Sequence, residues 1–249
     1  MIATVRSEWI KLRTVRSNVT TAIVAVVIPL AISLLSVTFM GEESIDSGTL
    51  PGFIVGTGSI AVLLIGVIGV LGVTQEYSQG TIRLTLAATP SRSRVYLAKG
   101  GVVAVVGGAL TGFIVVVGHV VGSAIIDGRD IPPLDSNDSA ASAFLAMVLM
   151  GALVALLGMA IGTLTRNPPS AVTILVLWPL LVEGIVGGLL SLALDDNISR
   201  WMPFQSGLNS MFLDVPDDGL GRGGSLGYFA IWVLVVSLIA ERSLKRRDA

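Results

Sequence analysis

The chain has 249 residues, of which 53% are hydrophobic and only 13% are charged, and its mean hydropathy is +0.84. Soluble domains carry about 25% charged residues, so this composition excludes an ordinary soluble domain and predicts an integral membrane protein. The sequence has no cysteine, which excludes disulfide and thiolate chemistry. The formal net charge of −1 says nothing about partners, because the charges are sorted by segment.

Residues 1–18, MIATVRSEWIKLRTVRSN, come before the first apolar segment. Their apolar residues lean to one side of a helix and most basic residues lie elsewhere, which is typical of an amphipathic helix among lipid headgroups. We predict an interfacial helix anchored by Trp9, Lys11 and Arg13. The alternative is an ordinary positive flank. The apolar run that follows lacks a convincing small-residue cleavage site, which predicts a retained signal-anchor.

Six apolar segments follow, and each is close to the about 20 residues that cross a hydrocarbon core. They cover about 19–40, 53–74, 100–126, 140–164, 171–194 and 225–240. The expected fold class is therefore all-α: a polytopic bundle of six transmembrane helices with an N-terminal interfacial helix. We expect residues 1–249 to form one domain, with the bundle in residues 19–240 and a basic tail in residues 241–249.

The basic residues predict the orientation of the bundle. Of the 16 Lys and Arg residues, 13 lie in segments on the side of the two termini and 3 in the opposite segments. By the positive-inside rule, both termini should be cytoplasmic. The outer segment, 195–224, includes RWMPFQSGLNSMF, which is either a short re-entrant or interfacial helix or a lipid-anchored loop. Its Trp201, Phe204 and Phe212 are expected at an interface.

The most informative stretch is the basic loop 76–99, EYSQGTIRLTLAATPSRSRVYLAK. Its glycine should end the preceding helix, the next threonine can cap a short helix, and Pro90 should end that helix. A short, partly apolar helix in a basic loop favours docking on another protein, and the alternative is a loop held at lipid headgroups. The predicted docking residues are Gly80, Thr81, Ile82, Arg83, Leu84 and Leu86.

Enzyme motifs are missing from the sequence. It has no G-x-x-x-x-G-K-[ST] phosphate loop and no H-E-x-x-H, and its one histidine and lack of cysteine argue against a tightly held zinc. We therefore expect no catalytic, metal or cofactor site on this chain, and we expect no nucleic acid partner.

Two ionisable residues lie inside predicted spans. His119 is about 12 Å, and Glu183 about 16 Å, from the outer end of its span at 1.5 Å per residue. A carboxylate in hydrocarbon is costly unless it is paired or hydrated, so Glu183 should face the bundle interior or a water-filled cavity. Either Glu183 lines a substrate path with His119 as a partner, or it makes a structural hydrogen bond, or it is protonated and satisfied by a neighbouring helix.

Three pairs of glycines spaced four residues apart lie in the third and fourth spans. Such small-xxx-small pairs let helices approach closely in lipid, so we expect them at helix contacts. The pairs are Gly108/Gly112, Gly118/Gly122 and Gly158/Gly162.

Three features together resemble the ABC-2 type transporter permeases, the membrane half of a class of bacterial ABC exporters. They are SEWIKLRT before the first span, the loop EYSQGTIRLTLAATPSRSRVYLAKG, and six spans with a large outer segment before the last. The resemblance covers the whole chain. The loop, with its pattern E-[YF]-x-x-G-T-[IL]-R-x-x-L…P-x-[SR]-R…K, is the most specific feature.

The resemblance implies a permease in the bacterial inner (cytoplasmic) membrane that pairs with a second permease copy or a homologous permease. Two copies of a separate cytoplasmic ATPase subunit would hold ATP and Mg. The helix around Gly80–Ala88 would be the coupling helix, and residues 1–18 the connecting helix. The complex would export a hydrophobic or amphipathic drug, peptide or lipid-like substrate. Competing classes are an ion-coupled carrier and a non-transporting subunit, such as an immunity or sensor component.

Overall fold

A computed structural model describes residues 2–88, 91–129, 137–194, 198–215 and 219–246. All regular structure in these ranges is helical. A π-helical turn, Trp178–Glu183, joins α7 to α8, and two 3₁₀ turns cover Glu42–Ser44 and Ile198–Trp201. The α-helices are α1 (Ile2–Thr14), α2 (Arg16–Phe39), α3 (Thr49–Ser78), α4 (Ile82–Ala88), α5 (Arg92–Asp127), α6 (Ala140–Thr165), α7 (Pro168–Leu177), α8 (Gly184–Leu194), α9 (Pro203–Asn209) and α10 (Gly221–Arg246).

The predicted six spans are confirmed. Helices α2, α3, α5, α6 and α10, together with the continuous segment from α7 to α8, are long and apolar enough to cross a membrane. Several helices run beyond the apolar residues that identify them in the sequence. Polar residues at a helix end keep their backbone hydrogen bonds, so α5 starts at Arg92 and α10 runs to Arg246. The loop 76–99 is accordingly shorter than expected.

Contacts between helix ends define two opposite faces of the bundle. Arg92 Nη1 donates to the Leu244 carbonyl oxygen at 2.8 Å, which places the end of α10 beside the start of α5. Because α1 also contacts the start of α5, the N- and C-terminal helices share this end, which we call the terminal face. At the opposite end, the distal face, Arg129 donates to the carbonyl oxygens of Val37 and Met40.

Helices α3, α5 and α6 form the centre of the bundle. Helix α2 packs on α3 and α5, α7 packs on α6 and α3, and α10 packs on α6. Of the 18 most apolar consecutive residues in each span, 61% are buried in α3, against 22% in α10 and in the segment from α7 to α8. The outer helices therefore expose leucine, isoleucine and valine side chains, as expected for surfaces that face lipid or a second subunit.

Glycines permit the close contacts between the central helices. A Cβ atom at Gly158 of α6 would overlap the carbonyl oxygen of Gly66 in α3. A Cβ at Gly122 of α5 would overlap the side chain of Leu50 in α3. These two small-xxx-small pairs lie at close helix contacts as predicted, whereas a Cβ at Gly108 would make only ordinary contacts with α6, the nearest at 3.6 Å.

Candidate functional site

The short helix predicted in the basic loop is present as α4 at the terminal face. Gly80 ends α3 with a left-handed φ of 67°, a conformation that favours glycine because it has no side chain to clash. Ile82 is buried against the bundle, whereas Arg83 is exposed and Leu84 is 72% exposed. Helix α4 thus buries the Ile82 side chain and presents the next two residues outward.

The residues that flank α4 agree with the predicted ends. Thr81 directly precedes the helix, and its hydroxyl lies 3.4 Å from the Glu76 carbonyl oxygen. Ser91 precedes α5 but makes no side-chain cap hydrogen bond there. The side chain of Leu86 and the whole of Pro90, both named in the sequence analysis, lie outside the described residues.

Four charged residues beneath α4 form a cluster that the sequence analysis did not anticipate, and we call it the terminal ion cluster: Glu8, Lys11, Glu76 and Lys99. Lys11 Nζ lies 2.8 Å from Glu8 Oε1 and 2.6 Å from Glu76 Oε1. Lys99 Nζ contacts Glu8 Oε2 and lies 3.2 Å from Glu76 Oε1. Lys99 Nζ also donates to the Gly72 carbonyl oxygen at 2.8 Å.

The terminal ion cluster is mostly buried and electrically balanced. Glu8, Glu76 and Lys99 are 2%, 7% and 5% exposed. Burial by itself raises the pKa of Glu8, but the ammonium groups of Lys99 and Lys11 outweigh it and hold that pKa below its ordinary value. For Lys11, burial lowers the pKa, but the carboxylates of Glu76 and Glu8 outweigh it and raise the pKa overall. Glu8 and Lys11 are therefore expected to be charged at neutral pH.

The cluster connects α4 to three longer helices. Glu8 and Lys11 belong to α1, Glu76 to α3 and Lys99 to α5. Lys11 Nζ also lies 3.3 Å from Thr85 Oγ1, which brings α4 into the same network. A displacement of α4 would therefore disturb ion pairs that fix the ends of α3 and α5. A cavity of about 240 Å³ lies beside these groups.

The sequence contained a signal for this cluster. Glu8 is the sole acid of residues 1–18, and Glu76 is the sole acid of the loop 76–99. A lone acid in a basic segment suggests an ion pair, but the spacing along the chain does not say which bases it meets. Lys99 was expected in a loop and lies in a buried turn of α5, because α5 begins seven residues earlier.

Helix α1 forms as predicted, but its charged residues have different surroundings. Lys11 points into the terminal ion cluster, whereas Arg13 is exposed and Trp9 is 46% exposed. The face of α1 that packs on the bundle is thus the face of Glu8, and Trp9 lies on the surface. Anchoring of Trp9 and Arg13 at the membrane interface stays a prediction.

Glu183 lies in the π-helical turn and is 2% exposed. Its carboxylate accepts hydrogen bonds from Trp178 Nε1 at 3.1 Å, from the Phe204 backbone N–H at 2.9 Å and from the Gln205 backbone N–H at 3.0 Å. These bonds join the segment from α7 to α8 with the start of α9. Pro179 lacks an N–H, which fits the local departure from regular α-helix.

Glu183 also lines a cavity of about 440 Å³, which we call the aromatic cavity. Its walls come from α6, from the segment Trp178–Glu183, from the start of α9 and from α10. Four of its lining residues have large aromatic rings that carry an N–H or O–H group: Trp178, Trp201, Tyr228 and Trp232.

His119 is not brought to Glu183. It is exposed on α5, where its ring meets the edge of the Phe144 ring with the centroids 5.8 Å apart. No hydrogen bond joins His119 to Glu183 in the described part of the chain. The hydrogen bonds expected by the structural interpretation of Glu183 are present, and a role of Glu183 and His119 in a substrate path stays a prediction.

The aromatic-rich segment before α10 folds into the bundle. Phe204 is 3% exposed and its ring meets the edge of Phe229 with the centroids 5.5 Å apart. The expectation that Phe204 lies at an interface was therefore wrong, because the carboxylate of Glu183 draws the start of α9 inward. Trp201 and Phe212, by contrast, are 42% and 43% exposed.

These features define a class of protein: a multi-pass, α-helical membrane protein. Among the described residues, no group of three His, Cys, Asp or Glu side chains could hold a metal ion.

A family model described as "ABC-2 family transporter protein" matches residues 6–240. The chain therefore belongs to the ABC-2 family of transporter proteins, and the resemblance found in the sequence is confirmed. A search of curated proteins found no match.

Proposed function

We propose that this chain is the permease subunit of an ABC exporter that uses ATP hydrolysed by a separate ATPase subunit. The proposal is carried by the geometry of α4, which presents Arg83 and 72% exposed Leu84 while Thr85 contacts the terminal ion cluster. Docking of an ATPase on these outer residues would act on the same short helix that touches the cluster. The force would reach α3 through Glu76 and α5 through Lys99.

The charges support an orientation, and the family supports a location. Because 13 of the 16 Lys and Arg residues lie in the sequence segments on the side of the two termini, the terminal face should be cytoplasmic. Both α4 and the interfacial helix α1 would then be within reach of a cytoplasmic ATPase. We place the protein in the bacterial inner (cytoplasmic) membrane, with ATP and Mg bound by the partner.

We further propose that the chain pairs with a second permease copy or a homologous permease, and that the pair binds two ATPase copies. The apolar surfaces of the outer helices support a pair, because 22% burial in α10 leaves a broad face for a partner or for lipid. The substrate is proposed to be hydrophobic or amphipathic and to leave the cell or the membrane.

The test is the substitution Leu84→Asp, measured by co-purification of the ATPase subunit in mild detergent. A charged residue at the centre of the docking surface should abolish co-purification and ATP-dependent efflux, while the amount of chain in the membrane stays normal. The matched control is Leu194→Asp at the distal face, where Leu194 is 62% exposed. That variant should retain the ATPase.

Retention of the ATPase by Leu84→Asp, or equal loss in Leu194→Asp, would contradict docking at α4. Arg83→Asp provides a second variant on the same surface, because Arg83 is also exposed.

A further inference from the structure

We propose that the aromatic cavity binds an organic cation that has a hydrophobic body, with Glu183 as the counter-charge. The cavity has about 440 Å³, within the range of about 300–1,000 Å³ for sites that take drug-sized ligands. As a substrate site, the aromatic cavity would rest on the proposed function. As a binding site, it rests on the contacts of Glu183 and of the aromatic rings.

The hydrogen bonds to Glu183 bear on the protonation state of its carboxylate. Every hydrogen bond to the carboxylate comes from a donor, namely the Trp178 indole N–H and the backbone N–H groups of Phe204 and Gln205. Each donor stabilises the ionised carboxylate more than the protonated one, because an ionised oxygen is the stronger acceptor. These contacts favour a negative charge at the wall of the cavity, whereas burial of the carboxylate opposes that charge.

Glu183 also lacks a positively charged partner among the described residues. The donors to Glu183 are uncharged, and no Lys or Arg in the described ranges forms an ion pair with it. The terminal ion cluster differs in this respect, because its two carboxylates face two ammonium groups. A buried charge is costly when it lacks an opposite charge, so a cation in the cavity would lower that cost.

The walls of the cavity are rich in aromatic rings. Indole and phenol rings carry negative potential on their faces and attract cations, most strongly where water is excluded. Three of the four tryptophans of the chain line the cavity, with Tyr228 beside them. Arg200 lies over the Trp201 ring, with its guanidinium carbon 5.8 Å from the ring centre, so Trp201 already contacts a cation of the chain. The rings of Trp178, Tyr228 and Trp232 therefore carry this argument.

Contacts within the chain hold several of the residues that line the cavity in place. The Trp178 indole is held by Glu183, and the Tyr228 hydroxyl donates to the Trp201 carbonyl oxygen at 2.9 Å. Phe204 and Phe229, which pack edge to face, also line the cavity. A preorganised site loses little conformational entropy on binding. The remaining lining residues are mainly aliphatic, so the body of the ligand should be apolar.

The test compares tetraphenylphosphonium with tetraphenylborate, two ions of similar size and hydrophobicity but opposite charge. The full chain, with any subunits that accompany it, is placed in zwitterionic lipid nanodiscs in the Trp9→Leu background. All remaining tryptophans of this chain then line the cavity, so quenching of their fluorescence, after subtraction of that of any accompanying subunits measured alone, reports on that site. We expect saturable binding of the cation that is at least about tenfold tighter than that of the anion.

Two variants locate the binding. Glu183→Gln should weaken cation binding by about tenfold and leave the anion unchanged. If Glu183→Gln fails to fold, Trp232→Leu serves, because it removes one ring and leaves the carboxylate with its three donors. Trp232→Leu should weaken cation binding several-fold. The parent Trp9→Leu chain is the control for loss of an exposed tryptophan outside the cavity.

Equal affinity for the two ions, or undiminished cation binding in Trp232→Leu, would overturn the proposal. Its failure can be separated from failure of the proposed function. A chain that purifies without an ATPase but binds the cation selectively would contradict only the exporter assignment. A chain that retains its ATPase but does not distinguish the two ions would contradict only the cation site.

Discussion

Replacing Lys99 with methionine would remove one of the two positive charges from the terminal ion cluster. Lys99 is 5% exposed, and its ammonium contacts Glu8, Glu76 and the Gly72 carbonyl oxygen. In the variant, one ammonium would face two carboxylates, and Gly72 would lose its donor. Breaking a buried ion pair by removing one partner costs about 3–5 kcal/mol, because the remaining charge stays uncompensated.

The assay is equilibrium unfolding of the purified chain in mixed micelles, followed by circular dichroism. Lys245→Met is the matched control, because Lys245 Nζ pairs with Glu241 at 2.8 Å but its side chain is 50% exposed. Exposed pairs contribute about 0–1 kcal/mol. The free energy of unfolding should therefore fall several times more in Lys99→Met than in Lys245→Met.

A double variant tests whether charge balance is the cause. Lys99→Met combined with Glu8→Gln leaves one carboxylate, Glu76, with Lys11 at 2.6 Å. It should recover part of the stability that Lys99→Met loses. If Lys99→Met costs no more than Lys245→Met, or the second substitution only adds to the loss, the burial and charge argument for this cluster is refuted.

Three further outcomes are expected. The folded pKa of Glu8 is lowered, so its contribution to stability is complete above the ordinary pKa of 4.5 and is lost as the pH falls through the folded pKa. The folded pKa of Lys11 is raised, so its contribution is complete below the ordinary pKa of 10.5 and is lost as the pH rises through the folded pKa. The melting temperature should therefore stay constant between pH 4.5 and pH 10.5 as far as these two groups determine it. Gly158→Val should lower the melting temperature strongly and Gly108→Val little, because a Cβ at Gly158 would overlap the Gly66 carbonyl oxygen, whereas the nearest atom to a Cβ at Gly108, the Val148 carbonyl oxygen, lies 3.6 Å away. Glu183→Leu should cost about 1–3 kcal/mol for each buried donor left unpaired, and an unchanged unfolding free energy would contradict this.

The chain order of elements was predictable because it depends on local composition. Runs of about 20 apolar residues must become helices in lipid, where each backbone polar group needs a partner within its own segment. The short α4 was predictable for a similar reason, because glycine adopts the left-handed conformation that ends a helix more readily than other residues, and Gly80 does so after α3. The lengths of α5 and α10 were not, because polar helix ends outside the apolar core leave no hydropathy signal.

Which side chains meet across helices depends on the tertiary structure. Glu8 and Lys99 are far apart along the chain, and only the packing of α1 on α5 brings them together. The same holds for Glu183, whose partners include two backbone N–H groups that no side-chain pattern can reveal. In the sequence, His119 was an equally reasonable partner.

The sequence by itself determined the class, the six spans, the separation of basic segments and the family, since these follow from composition and short motifs. The tertiary structure decided that Lys11 faces carboxylates, that Phe204 is buried, and that three tryptophans line one cavity with Glu183. The physical reason is that hydropathy gives the depth of a residue in the membrane but not the direction in which its side chain points. Helix rotation and packing set that direction, and they depend on close contacts such as the one between Gly158 and Gly66.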